Sequence, residues 1–251
     1  MPSHTWTTLD LLQTTARYLD DRGADSPRLA AERLLAHVLD CRRVDLYLDG
    51  ERPVAEVELA PYRNLVREYA AGAPIQYIVG ETEFMGLVFQ ADRRALIPRP
   101  ETEILVDALV KQLRPRMPAP TSILELGTGS GAIAVALAVA LPGAEVWSTE
   151  IDPGPAALAL ANARRHGVES RLHVLVMDRF EALSPGLAGA FDCIVSNPPY
   201  VRTRELAGLP DRVREYEPVA ALHGGADGLT FHRHLGGAGL RFLGAGGTLG
   251  V

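Results

Sequence analysis

The chain has 251 residues, of which 47% are hydrophobic and 22% charged, the balance of an ordinary soluble globular protein with room for one large or two small domains. Its net charge of −6 argues against a protein built chiefly to hold a nucleic acid backbone. Cys41 and Cys193 stand far apart, with no Cys-x-x-Cys pair and no histidine cluster at zinc spacing, so neither a disulfide framework nor a metal site is expected.

At the start, Met1 to Asp10 lacks a basic stretch followed by an apolar core, so no secretion signal is expected and a reducing cytoplasm is the default. Leu9, Leu12, Ala16 and Leu19 recur at helical spacing, and Gly23 can end that helix. Ser26 then suits an N-cap and Pro27 the first helical position. Ala30, Leu34 and Val38 line one face of this second helix. Tyr62, Leu65 and Tyr69 mark a third, stopped by Gly72 and Pro74. Residues 1–73 therefore read as a small helical bundle without a catalytic constellation, either a packing module or a docking surface.

Residues 74–94 change period. Tyr77, Val79, Phe84, Leu87 and Phe89 surround Gly80 and Gly86, the pattern of a β-hairpin linking two domains. The third segment, residues 95–251, opens on Leu96-Ile97-Pro98-Arg99-Pro100-Glu101-Thr102-Glu103. Pro100 can begin a helix running to about Arg114, with Glu101 and Glu103 favourably placed in its first turn. From Ser122 the pattern is β-α-β-α. Strand Ile123–Leu126 precedes Gly127-Thr128-Gly129-Ser130-Gly131 and an alanine-rich helix. Strand Glu145–Thr149 ends at Glu150, helix Pro155–His166 follows, and strand Leu172–Val176 ends at Asp178. Such alternation implies a parallel sheet with helices on both faces. Ligands of such sheets lie beyond the carboxyl ends of the strands.

A last buried strand, Phe191–Val195, runs into Ser196-Asn197-Pro198-Pro199-Tyr200. Two consecutive prolines cannot donate to a ladder, so the strand stops there. Pro199 also holds Pro198 extended, which leaves its carbonyl without a helical partner. An amide, a free carbonyl and an aromatic ring thus stand together past a strand end, either a plain turn or a binding loop.

The glycine spacing is Gly-x-Gly-x-Gly, unlike dinucleotide binders, and no Lys-Ser/Thr follows as in a P-loop. Glu150, about twenty residues on, can accept hydrogen bonds from two ribose hydroxyls. Asp152, just before Pro153, fits a helix-entry turn better than a ribose site. Loop, acid and Asn-Pro-Pro-Tyr in this order resemble a Rossmann-like, class I S-adenosylmethionine-dependent methyltransferase. The resemblance implies that Gly127, Thr128, Gly129, Ser130 and Gly131 face the methionine part of the cofactor. It sets Glu150 at the ribose, Asp178 and Arg179 near the adenine, and Asn197 against both cofactor and acceptor. The acceptor would be a planar NH2 on an sp² carbon, either adenine or a carboxamide. The Asn197 side-chain oxygen and the Pro198 carbonyl would orient it beside Pro199 and Tyr200, by positioning rather than by a strong base.

Longer stretches narrow the choice. They are GETEFMGLVF from Gly80, LIPRPETEILV from Leu96, ELGTGSGAIAVALA from Glu125, VSNPPYV from Val195 and YEPVAALHGGADGL from Tyr216. Together with the helical bundle they resemble the HemK family of protein-(glutamine-N5) methyltransferases. The resemblance implies methylation of the glutamine in the Gly-Gly-Gln loop of peptide chain release factors. It also implies docking of that partner by the N-terminal bundle, and a substrate pocket shaped by Arg99, Pro100 and Glu101. A monomer is expected, with no need for metal, nucleic acid or membrane. A ribosomal-protein glutamine, an adenine amine, and a non-enzymatic cofactor-binding module are the competing readings. Residues Gly228 to Leu243 read as a helix and Gly246–Val251 as the start of a strand, so the last strands of the expected sheet are missing from the sequence.

Overall fold

A computed structural model describes residues 5–116 and 121–251. The first four residues, where the expected bundle and leaderless start begin, lie outside the described residues. The chain divides into two compact units, Met1–Gly80 and Glu81–Val251.

The first unit is helical: α1 (Thr8–Asp20), α2 (Pro27–Val38), the short α3 (Asp45–Leu48), α4 (Glu56–Ala70) and α5 (Ile75–Val79). In α1 the Thr7 side chain accepts from Asp10 N while Asp10 reaches back to Thr7 N, a reciprocal cap. Leu11, Leu12, Leu19, Leu34, Leu35, Tyr62 and Tyr69 form its core. Burial pushes the Tyr62 hydroxyl up to about 12. Two expectations change here and one element is added. Ser26 occupies the N-cap position of α2 in a left-handed conformation and makes no side-chain cap; Pro27 alone starts the helix. Helix α3, of four residues, is too short to show a period in the sequence. Tyr77 and Val79 belong to α5, started by Pro74, rather than to a strand.

The second unit opens with a hairpin, β1 (Glu81–Phe84) and β2 (Leu87–Gln90), turning at Met85-Gly86. Helix α6 (Pro100–Leu113) has Pro100 in its first turn, as read from the sequence. Then follow β3 (Thr121–Leu126), α7 (Ala132–Ala140), β4 (Ala144–Glu150), α8 (Pro153–Arg165), β5 (Leu172–Val176), β6 (Phe191–Val195), α9 (Asp211–Tyr216), α10 (Thr230–Gly237) and β7 (Leu243–Gly250). The expected single helix over 228–243 breaks after Gly237 into a 3₁₀ turn, Gly239–Arg241, and the last strand starts at Leu243. Glycines at 236, 237 and 239 disfavour a longer helix.

The five-stranded sheet has the order β5-β4-β3-β6-β7, every neighbour parallel. Helix α7, apolar on all sides, is buried over most of its length. Ile123, Leu137, Val146 and Cys193 join one core cluster; Leu124, Leu126, Phe191 and Ile194 join another. The chain leaves β3 toward β4 on one side and returns to β6 on the other. That reversal opens a crevice at the strands' carboxyl ends. No helix among the described residues is long and apolar enough to cross a membrane.

Candidate active site

Strand register alone assembles the site. Leu126 pairs with Thr149 and Glu125 with Val195, so Gly127 leaves the sheet beside Glu150 on one flank and Asn197 on the other. Glu150 pairs with Val176, which sets Asp178 two residues beyond.

The glycine loop is tied to β4: the Gly127 and Thr128 amides both donate to the Thr149 carbonyl, at 2.8 and 3.1 Å. Gly127 and Gly129 have φ of +72° and +55°, conformations that favour glycine. The Glu150 carboxylate completes the loop. Its Oε2 accepts from Gly129 N at 3.0 Å, and its Oε1 from Ile151 N at 2.9 Å and Asp152 N at 3.2 Å. Oε1 is filled by its two backbone donors, and Oε2, with one, retains capacity to accept from a ligand hydroxyl. Asp152 caps α8 through Gly154 N at 2.7 Å, the helix-entry role read for it.

Glu125, to which the sequence assigns no role, lies beneath the loop. It is 1% exposed. Thr128 Oγ1 and Ser148 Oγ both donate to its Oε2, at 2.6 and 2.9 Å. Burial pushes its carboxyl up to about 7; the two hydroxyl bonds pull down less than burial pushes up, and Glu150 adds to the rise. A charged residue between Leu124 and Leu126 in a buried strand was the available signal.

A cavity of about 410 Å³ is lined by Gly127, Thr128, Gly129, Ser130, Glu150, Asp178, Arg179, Asn197, Pro198 and Pro199. Ile151, Met177 and Phe231 add lining that no motif in the sequence singles out, and Glu125, the first residue of the quoted glycine-loop stretch, lines it too. Gly131 is absent from it; a Cβ there would lie 3.0 Å from Ala159, so this glycine serves the packing of α8. Asp178 pairs with Arg179 at 2.5 Å, and Arg179 also meets His234 at 3.2 Å.

A second cavity, of about 440 Å³, adjoins the first and is lined by Arg99, Glu101, Asn197, Pro198 and Tyr200. Leu96, Thr102, Asn197, Pro198 and Ala221 line both. Pro100 lines neither. Ser196 fixes where Asn197 emerges: its hydroxyl donates to the Leu126 carbonyl at 2.8 Å. The Asn197 Nδ2 donates to Thr102 Oγ1 at 3.2 Å, leaving Oδ1 as the acceptor. The Pro198 carbonyl takes no backbone donor among the described residues.

The stretch from Tyr216 braces this wall. Arg99 Nη2 meets the buried Glu217 carboxylate at 2.5 Å, and Ile97 N donates to the same group at 3.3 Å. Gly224 packs behind the loop so closely that a Cβ would fall 2.7 Å from Tyr200 Cα.

Comparison with known proteins agrees with this architecture. Residues 10–80 match the PrmC N-terminal domain model and residues 100–209 the methyltransferase small domain model. A release factor glutamine methyltransferase of Chlorobaculum tepidum is 41% identical over 221 residues, 86% of this chain and 75% of that protein. The one from Geobacter sulfurreducens is 44% identical over 246 residues, 98% of this chain and 84% of its own length. That of Rhodopirellula baltica is 39% identical over 226 residues, 89% and 75% of the two chains. The sheet and its glycine loop are those of a class I S-adenosylmethionine-dependent methyltransferase. With identity of this level running through both units, the chain belongs to the release factor glutamine methyltransferase family.

Proposed function

We propose that this protein methylates the side-chain amide nitrogen of the glutamine in the Gly-Gly-Gln loop of peptide chain release factors, using S-adenosylmethionine. One observation carries the reading: two adjoining cavities share a wall made by Asn197 and Pro198. A group transfer needs two ligands meeting at one point, and this wall is where they meet.

The first cavity fits the cofactor by its donor set. It offers a glycine loop, the Glu150 carboxylate for ribose hydroxyls, and the apolar side chains Ile151, Met177 and Phe231 for a flat base. Its size falls within the roughly 300–1,000 Å³ usual for ligand pockets. Bound there, S-adenosylmethionine supplies an electrophilic methyl group on a positively charged sulfur. From the second cavity, the glutamine carboxamide donates one N–H to Asn197 Oδ1 and the other to the Pro198 carbonyl. With both N–H bonds held by the shared wall, the nitrogen lone pair, normal to the amide plane, is turned toward the first cavity, and Tyr200 offers a flat face to the planar group. The amide nitrogen is a poor nucleophile, so fixed orientation and polar contacts supply the rate, and the one N–H proton it gives up on gaining the methyl group would pass to solvent through the second cavity. Arg99 contributes by its pairing with Glu217, which holds the entry loop.

The test is incubation with labelled cofactor and candidate acceptors. Label in intact release factor supports the reading. Label in ribosomal protein or nucleic acid instead, or cofactor binding without transfer, would overturn it. Replacement of Glu150 by alanine should weaken cofactor binding by about 1–3 kcal/mol, from lost charge-assisted hydrogen bonds. Titration calorimetry on folded protein measures this; unchanged affinity would remove Glu150 from the ribose site.

The helical unit, Met1–Gly80, is the docking module on this reading, and the enzyme acts in the cytoplasm, where release factors work. Deleting residues 1–80 should raise KM for whole release factor and leave KM for a short Gly-Gly-Gln peptide nearly unchanged. Circular dichroism establishes that the remaining unit is folded. An equal rise for both substrates would make the bundle structural.

A further inference from the structure

The bond between Asn197 and Thr102 has a consequence for catalysis. A carboxamide side chain presents either oxygen or NH2 to a ligand, depending on a half-turn about its last bond. An Asn197 turned the wrong way would face the substrate N–H with its own N–H. Among the described residues no group of the Asn-Pro-Pro-Tyr loop bonds the Asn197 carboxamide; the neighbour that does is Thr102, whose Oγ1 accepts from Asn197 Nδ2 at 3.2 Å across 95 residues of sequence. Thr102 is also one of the few residues that line both cavities.

Thr102 is held well for this. It lies in the first turn of α6, which Pro100 starts, and its backbone N–H donates to the Arg99 carbonyl at 3.0 Å. The next residue, Glu103, anchors the turn to the hairpin by accepting from Met85 N at 2.6 Å. Arg99, just before the helix, is tied to buried Glu217. The hydroxyl therefore approaches Asn197 from a turn braced on both sides.

We propose that Thr102 is a positioning residue for methyl transfer: its hydroxyl fixes the Asn197 side chain with Oδ1 toward the acceptor glutamine. This rests on the reading of Asn197 as the group that accepts from the substrate N–H. Valine keeps the shape of threonine and cannot accept a hydrogen bond; serine keeps the hydroxyl. Thr102→Val should lower kcat by about five- to tenfold, the size of one net hydrogen bond. KM for a Gly-Gly-Gln peptide and the cofactor Kd should stay within about twofold, because the bond sets orientation more than occupancy. Thr102→Ser should recover most of the lost kcat.

The decisive measurement is the double-mutant cycle with Asn197→Ala, read by single-turnover methylation of the peptide. If Thr102 acts through Asn197, valine at 102 costs nothing further once Asn197 is gone. A full kcat in Thr102→Val, a loss that serine does not restore, or the same loss in the Asn197→Ala background would each overturn the proposal while leaving the role of Asn197 intact. Full activity of Asn197→Ala by itself would remove the underlying reading, and the proposal with it.

Discussion

Asn197→Ala is expected to lower turnover on release factor by on the order of a hundredfold, comparable to losing one preorganised polar contact in other active sites. The contact is worth most in the transition state, where the nitrogen must keep its lone pair in line. Cofactor affinity should change little, since the glycine loop is held by Thr149 and Glu150 and not by Asn197. Asn197→Asp separates geometry from charge. It keeps an acceptor oxygen but adds a negative charge to the wall common to both cavities, which attracts a cationic cofactor. It also loses the N–H that Thr102 accepts. The aspartate variant should bind S-adenosylmethionine at least as well as the parent and still turn over slowly. Calorimetry and single-turnover rates on the same preparations check both halves. Parental turnover in either variant would mean that Pro198 and Tyr200 hold the acceptor without Asn197.

The second large effect concerns stability. Glu125 has its carboxyl raised from an ordinary 4.5 to about 7, because burial disfavours its charge more than Thr128 and Ser148 favour it. The folded state then holds this proton more tightly than the unfolded chain does. Stability from this group is full below pH 4.5 and falls as the pH rises toward 7, levelling off above. A tenfold difference in proton affinity is worth about 1.36 kcal/mol, so the loss amounts to about 3 kcal/mol. Glutamine at 125 keeps an oxygen that can accept from both hydroxyls and cannot ionise. The stability of Glu125→Gln relative to the parent should therefore rise by about 3 kcal/mol between about pH 4 and pH 8. Urea unfolding across that range measures it. Two pH profiles that run parallel would show that Glu125 titrates normally in the folded protein.

What could be read from the sequence was local or periodic. The β-α alternation, the start of α6 at Pro100 and the stop of β6 before two prolines each follow from a few adjacent residues, and the structure has all three. Because a parallel sheet carries its ligands at the carboxyl ends, strand ends pointed to Gly127, Glu150 and Asn197, the family resemblance added Asp178, and all four line one cavity. The local misreadings have physical causes. Tyr77 and Val79 alternate as a strand does, but five residues are too few to separate the two periods, and packing against the bundle core decided for helix. Ser26 has the composition of a cap, yet its left-handed backbone leaves the side chain without the bond.

Tertiary structure alone decided how these groups orient one another. The bond from Asn197 to Thr102 and the pairing of Arg99 with Glu217 each join residues about a hundred positions apart. Nothing in the composition of either segment marks the other as its partner. The raised carboxyl of Glu125 likewise depends on the layers that bury it, and the same residue in an exposed strand would titrate normally. Residue type and spacing thus determine which chemistry the strand ends can offer. Which end of the Asn197 carboxamide Thr102 takes up, and which carboxyl keeps its proton, depends on long-range packing that withdraws water and sets the partners of each polar group.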